Sequence, residues 1–245
     1  MRSGWPDYTN LKFPDAPNDR PTVILNGVMS VDGKAVIKNT EQGIGSDTDR
    51  RLMRELRLNA DIVLNGAETL RKSGTSSRLG FRDLDELRES RGKSVPIAAV
   101  ISRSGNLPLD KQFFIANDFP AIVYLSETAS EKQKRVIQSS QRPVVFLPED
   151  DEIKVMLQHM RSTLNCEVLL VEGGPTVYAA FFAAGIVDEM FLTVGPVIVA
   201  GEDTLSIVSG PTAFIPETVP RLKLVSAIPN METNEVYLRY QVNQL

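Results

Sequence analysis

"VEGGPTVYAAFFAAG", residues 171–185, decides how the rest of the chain is read. An apolar run ends in Glu172, and Gly173, Gly174, Pro175 and Thr176 follow before a helical pattern begins. A carboxylate at the carboxyl end of a strand stands where open α/β sheets place their ligands. The glycines let the backbone turn sharply and let a ligand come close. Proline suits the first turn of a helix, where its missing N–H is not needed. Val177, Ala180, Phe181 and Ala184 form the expected core-facing stripe, and Gly185 supplies the C-terminal stop. Free N–H groups of the first turn would then make an anion site. A tight strand-to-helix turn without a ligand produces the same string, so both readings stand here. The spacing is not G-x-G-x-x-G and gives a Rossmann reading little support.

Working outward, apolar runs bounded by Gly, Pro and polar residues recur at 22–28, 60–66, 95–102, 120–126, 142–148 and 167–173. Runs of that length suit strands covered on both faces. Between them lie helical patterns. "SDTDRRLMRELRLN" opens with Ser46 and has Asp49 three residues on, a capping-box-like start. Leu52, Met53 and Leu56 make its apolar stripe, while Arg50, Arg54 and Arg57 share another face. Segments 126–139 and 149–162 are two further helices. This alternation predicts an α/β fold of three layers, α/β/α, with a mainly parallel central sheet. After Gly185 the runs 188–201, 221–229 and 235–242 follow without helices and are expected to pair antiparallel. Residues 1–21 read as an extended arm and 22–245 as a single domain.

With 42% hydrophobic and 24% charged residues, the 245-residue chain has an ordinary globular balance. Its net charge of −4 gives no reason to expect nucleic acid as a partner. One cysteine, Cys166, excludes an internal disulfide and argues against a cysteine-built metal site, and one histidine, His159, leaves triad chemistry or a multi-histidine metal site almost nothing to use. Cys166 is expected to be a packing residue and His159 an ordinary helix-surface one. No signal-peptide core and no apolar run of membrane-spanning length is present, which predicts a cytoplasmic protein.

Three more stretches carry chemistry. "LNGVMSVDGKAV" (25–36) delivers Ser30, Asp32, Gly33 and Lys34 at the end of a strand, although a plain Asp-Gly hairpin tip explains part of it. In "ADIVLNGAETLRKSG" (60–74) a strand ends at Asn65-Gly66 and a helix can begin, again offering backbone donors to an anion. In "VISRSGNLP" (100–108), Ser102 and Arg103 follow a strand, and an arginine there can give directed hydrogen bonds to a phosphate.

Taken together these segments resemble the reductase domain of the bifunctional riboflavin-biosynthesis protein and its stand-alone relatives, a dihydrofolate-reductase-like family. They occur in family order over roughly residues 22–242. The resemblance implies NADPH-dependent reduction of a phosphoribosylamino-pyrimidine, opening the ribose to a ribityl chain. It implies that Lys34 and Glu172 lie at the reacting centre, with Ser30, Asp32 and Arg57 on the substrate side. It also implies that Gly66, Thr69, Ser102, Arg103, Gly173, Gly174, Pro175 and Thr176 bind the cofactor. Arg103 is expected to meet the 2′-phosphate, since it otherwise lacks a charge to meet. A homodimer through the C-terminal strands is also implied. No companion deaminase module is expected within these 245 residues, because its zinc ligands need a histidine and paired cysteines.

The chain departs from the family pattern twice. Ser73 stands where an aspartate usually follows the "GAxTxxxD" segment, with Arg78 and Arg82 nearby and a helix-like insert, "RDLDELRESRGK", beyond. "TEQGIGS" lacks the tryptophan usual after DGK, and Gly43 cannot cover a cofactor as an indole would. Two alternatives therefore stand beside the first reading: the same fold and cofactor acting on a different carbonyl or imine, or an NADPH-binding protein without turnover.

Overall fold

The computed structural model describes residues 4–38, 40 and 42–243. The first three residues of the expected arm, residue 39, Glu41 in "TEQGIGS" and the last two residues lie outside them. β1 (Thr22–Ser30) leads to α1 (Asp47–Asn59), β2 (Ile62–Gly66) and α2 (Ala67–Ser73). α3 (Arg82–Ser90), β3 (Ile97–Ser102), α4 (Gln112–Ile115) and β4 (Ala121–Ser126) follow. Next come α5 (Glu131–Gln138), β5 (Val144–Leu147), α6 (Glu152–Ser162) and β6 (Val168–Val171). α7 (Pro175–Ala183), β7 (Glu189–Gly195), β8 (Arg221–Asn230) and β9 (Glu235–Asn243) complete the order. The six expected strands of the alternating part all form, and the fold is mixed α/β. Strands β2 and β4 are buried at every position, as an unbroken apolar run requires.

The chain divides into two compact units. One holds Lys12–Thr22 and Arg57–Leu170. Its strands run in the order β5-β4-β3-β2-β6, with β2–β3, β3–β4 and β4–β5 paired in parallel. Leu70, Val100, Phe113, Val123, Leu125 and Ile137 form its main core, and each fully buried side chain of this size stabilises by about 1.5–3 kcal/mol. The expected insert helix α3 is anchored rather than loosely appended. Leu84 packs with Leu58 and Leu79, and Arg88 donates to the carbonyls of Arg57 and Leu58, two of the last in α1. Burial lowers the Arg88 pKa to about 10, a value at which the guanidinium stays charged near neutrality.

His159 departs from its expected surface role. It is half-buried, its Nδ1 lies 3.0 Å from the Tyr124 hydroxyl, and its ring meets the Tyr124 ring edge to face. Desolvation lowers its pKa, which favours the neutral ring. Cys166 is fully buried, as a packing residue should be, and desolvation drives its thiol pKa well up.

The other unit holds residues up to Leu11, Val23–Leu56 and everything from Val171 onward. Here the order is β1-β7-β9-β8. β7–β9 and β8–β9 are antiparallel as expected, whereas β7 pairs with β1 in parallel. The expected strand 188–201 stops at Gly195, and the chain beyond runs as loop.

Ser46 caps α1 by accepting from the N–H groups of Thr48 and Asp49. Its own N–H and hydroxyl donate to Glu235, which also accepts from Thr233 and Tyr237. Four donors satisfy a carboxylate only 1% exposed. Part of the expected arm is folded onto its own chain: Tyr8 is buried edge to face against Phe191 and its N–H donates to Glu55.

Helix α7 corrects the expected stripe. Tyr178, Ala179, Phe181 and Phe182 are buried, while Ala180 and Ala184 are exposed. Almost every residue of this helix is apolar, so its periodicity has no clear phase. Gly185, with φ 64°, does end it, donating its N–H to Phe182.

Candidate active site

The DGK hairpin in the second of these units is built around one serine. Ser30 ends β1 fully buried; its hydroxyl donates to Asp32 Oδ1 at 2.6 Å and accepts the Lys34 N–H at 2.9 Å. Asp32 accepts in turn from the N–H groups of Val199 and Ala200, at 3.1 and 2.7 Å. The Ser30 hydrogen bond, then these two N–H groups, hold the Asp32 carboxyl down to about 2. Gly33 makes the turn at φ 80°, a conformation that costs glycine nothing. The turn delivers Lys34 half-buried, its ammonium donating to the Thr204 carbonyl at 3.0 Å.

Glu172 follows the last residue of β6 and is half-buried. Gly173 has φ 143°, the peptide bond to Gly174 is cis, and Gly174 is the N-cap of α7. Pro175 occupies the first turn and Thr176 is exposed. The Gly174 carbonyl accepts from Val177 and Tyr178, so the turn is closed by backbone alone. The Tyr178 hydroxyl donates to the Asn26 carbonyl on β1.

A segment that the sequence did not single out, 204–209, touches both motifs. Ala35 donates to Leu205, Ile207 donates to Gly33, and Lys34 pairs with Ser206 in an antiparallel bridge. Two residues later Ser209 donates to the Pro175 carbonyl at 3.2 Å. Backbone hydrogen bonds of this kind carry no side-chain pattern, so no sequence signal announces them.

The first unit carries the remaining candidates. Arg57 is 5% exposed and donates to the Arg78 carbonyl at 2.7 Å. Arg78 and Arg82 already meet acids: Arg78 forks onto Asp118, and Arg82 pairs with Glu86 one turn on. The Arg78 hydrogen bond lowers the Asp118 pKa, and the Asp118 bond raises that of Arg78. Gly66 is the buried N-cap of the seven-residue α2, and Thr69 is half-buried within it. Ser73, at the place of the missing aspartate, turns its hydroxyl back onto the Thr69 carbonyl.

Ser102, 3% exposed, ends β3 and accepts the Gly105 N–H at 3.0 Å. Arg103 beside it is 81% exposed, with Glu152 at 3.6 Å. Arg103 therefore does not lack a charge to meet, contrary to the argument that tied it to a 2′-phosphate. At that distance and exposure the pair is worth only about 0–1 kcal/mol, and an incoming anion can compete for the guanidinium.

With this geometry in view, the pattern of the RibD C-terminal domain matches residues 21–229. The chain belongs to the RibD C-terminal domain family. Among relatives of this RibD-type chain is the 2,5-diamino-6-ribosylamino-4(3H)-pyrimidinone 5′-phosphate reductase of Methanothermobacter thermautotrophicus, 27% identical over 78% of this chain and 85% of that protein. The protein of the same name from Archaeoglobus fulgidus is 26% identical over 78% and 87%. A pyrimidine reductase-like protein from Corynebacterium diphtheriae shares the fold, with a TM-score of 0.82 over 93% of this chain and 94% of that one, at 22% identity. The donor set suits the phosphates of a dinucleotide cofactor: a buried serine fixes the Ser102–Gly105 turn, and Arg103 offers an exposed, weakly paired cation.

Proposed function

We propose that the protein is an NADPH-dependent reductase of a phosphoribosylamino-pyrimidine in riboflavin biosynthesis. One observation carries this reading. The DGK lysine is presented half-buried at a hairpin closed by Ser30, and among described residues the one hydrogen bond of its ammonium is to a neutral carbonyl. An ammonium has three donors. Two remain for a substrate oxygen, which is what an acid or electrostatic stabiliser needs.

In this reading NADPH, when bound, would supply the hydride that the ribose C1′ takes up. Lys34 gives or steers the proton to the ring oxygen as its bond to C1′ breaks, and Glu172 orients the lysine or the substrate. Ser30, Asp32 and Arg57 stand on the substrate side, the first two as the frame of the Lys34 turn and Arg57 as a buried guanidinium. Gly173, Gly174, Pro175 and Thr176 receive a cofactor phosphate at the start of α7. Gly66, Thr69 and Ser102 are read as cofactor residues, and Arg103, only weakly paired with Glu152, would be the one to meet a 2′-phosphate. Holding both reactants makes the transfer effectively unimolecular.

The protein acts as a homodimer in this proposal. β8 ends its strand order, and Leu222, Leu224 and Val225 on it are 41–52% exposed. Such an edge invites a second copy. Sedimentation as a monomer at micromolar concentration would contradict this part. For the reaction, the gene should restore growth to a riboflavin-requiring strain lacking its reductase. Failure of a well-expressed protein to do so would move the reading to another carbonyl or imine substrate, the alternative that the missing tryptophan near Gly43 and the serine at position 73 motivate.

A further inference from the structure

The 204–209 segment brackets Lys34 on both sides. Gly33 accepts from Ile207 at 3.0 Å, Ala35 donates to Leu205 at 2.9 Å, and the lysine side chain folds back onto the Thr204 carbonyl. The far end of the same segment donates to Pro175, three residues after Glu172. Six residues thus tie the amine-bearing hairpin to the carboxylate-bearing turn.

One side chain in it, Ile207, is set against bare backbone. A Cβ built on Gly27 would lie 2.8 Å from Ile207 Cδ1 and 3.4 Å from the Tyr178 ring. Gly27 sits inside β1 and is not among the residues with positive φ, so the turn-making use of glycine does not account for it. The space it leaves is what lets Ile207 seat beside Tyr178.

We propose that Ile207 is a positioning residue for Lys34: seated on Gly27, it fixes the strap whose Thr204 carbonyl sets the reach of the ammonium. This rests on the reading of Lys34 as the acid or stabiliser, but it adds a residue that neither motif contains. Ile207 touches no reacting atom and acts through the hydrogen bonds of its strap.

The test pairs turnover with a direct report on the lysine. Ile207→Ala, Ile207→Val and Gly27→Ala are compared with the parent for kcat, for NADPH KM, and for acetylation of each lysine by an amine-reactive reagent, read by peptide mass spectrometry. Ile207→Ala is expected to lower kcat about tenfold, as a misplaced group does, with NADPH KM within about twofold. Labelling of Lys34 should rise while that of Lys12 and Lys223 stays constant. Ile207→Val should restore both properties, and Gly27→Ala should repeat the loss even if Ile207→Ala fails to fold.

A fall in kcat with unchanged Lys34 labelling overturns the proposal, as does raised labelling with unchanged kcat. Lys34→Ala separates the two levels. If that variant turns over like the parent, the role assigned to Lys34 fails, whatever the labelling shows of the strap.

Discussion

The Lys34 hairpin and the Ser102–Gly105 turn begin alike and end differently. Each follows a strand of a parallel pair, and each is closed by a buried serine hydroxyl that accepts a backbone N–H. Each then presents a cation. Lys34 is bonded to a carbonyl and bracketed by backbone on either side, whereas Arg103 is 81% exposed beside a carboxylate at 3.6 Å. Fixed placement suits a group that must meet one atom at one moment. A loose, exchangeable cation suits recognition of a charge. The same local device, a serine-closed strand end, thus serves two ends according to what holds the next side chain.

The sharpest way to break this comparison is to remove the fixed cation. Lys34→Ala should lower kcat by about a hundredfold or more, with the NADPH dissociation constant within about twofold. A variant that keeps kcat and loses cofactor affinity would reverse the assignment. Removing the loose cation should do the opposite. Arg103→Ala is expected to weaken NADPH about tenfold, the worth of a charge-assisted hydrogen bond, and to leave NADH binding alone. Equal losses for both cofactors would sink the assignment of Arg103.

Smaller effects sharpen the two closures. Ser30→Ala and Ser102→Ala each remove a hydroxyl that accepts a backbone N–H, and each should cost about 1 kcal/mol in urea unfolding. Only Ser30→Ala should also lower kcat, because its serine frames the turn that carries Lys34, the proposed acid or stabiliser. Asp32 adds a pH signature. Its folded pKa of about 2 lies below the ordinary 3.8, so its contribution to stability is present above about pH 4 and is lost as pH falls towards 2. The destabilisation by Asp32→Asn should therefore shrink across that window. A constant difference between pH 5 and pH 2 would show that the carboxylate charge is not involved.

Much of this was legible in the sequence because parallel strands write themselves as apolar runs. "ADIVLNG" and "PAIVYLS" could be placed within a residue or two. So could the serine-capped start of α1 and the stop at Gly185. The face of α7 was not legible, since a helix apolar all round offers no stripe to read. The Tyr124–His159 pair was equally hidden, because a helix histidine carries no mark of the strand it will meet. Arg78 shows the same limit: nothing in the sequence announces that it meets Asp118, 40 residues on. The strap at 204–209 lay furthest out of reach. It joins Lys34 to a segment 170 residues away through backbone groups that every residue possesses.

The central proposal is that the protein reduces a phosphoribosylamino-pyrimidine with NADPH as the hydride donor, Lys34 supplying or steering the proton and Glu172 orienting the lysine or the substrate. The most direct measurement is NADPH oxidation by the purified protein with the diamino pyrimidine ribotide and with its deaminated form, alongside Lys34→Ala and Glu172→Gln. Turnover of one ribotide that both substitutions abolish, with NADPH still bound by each variant, is the expected result. No turnover of either ribotide by a protein that binds NADPH would contradict it.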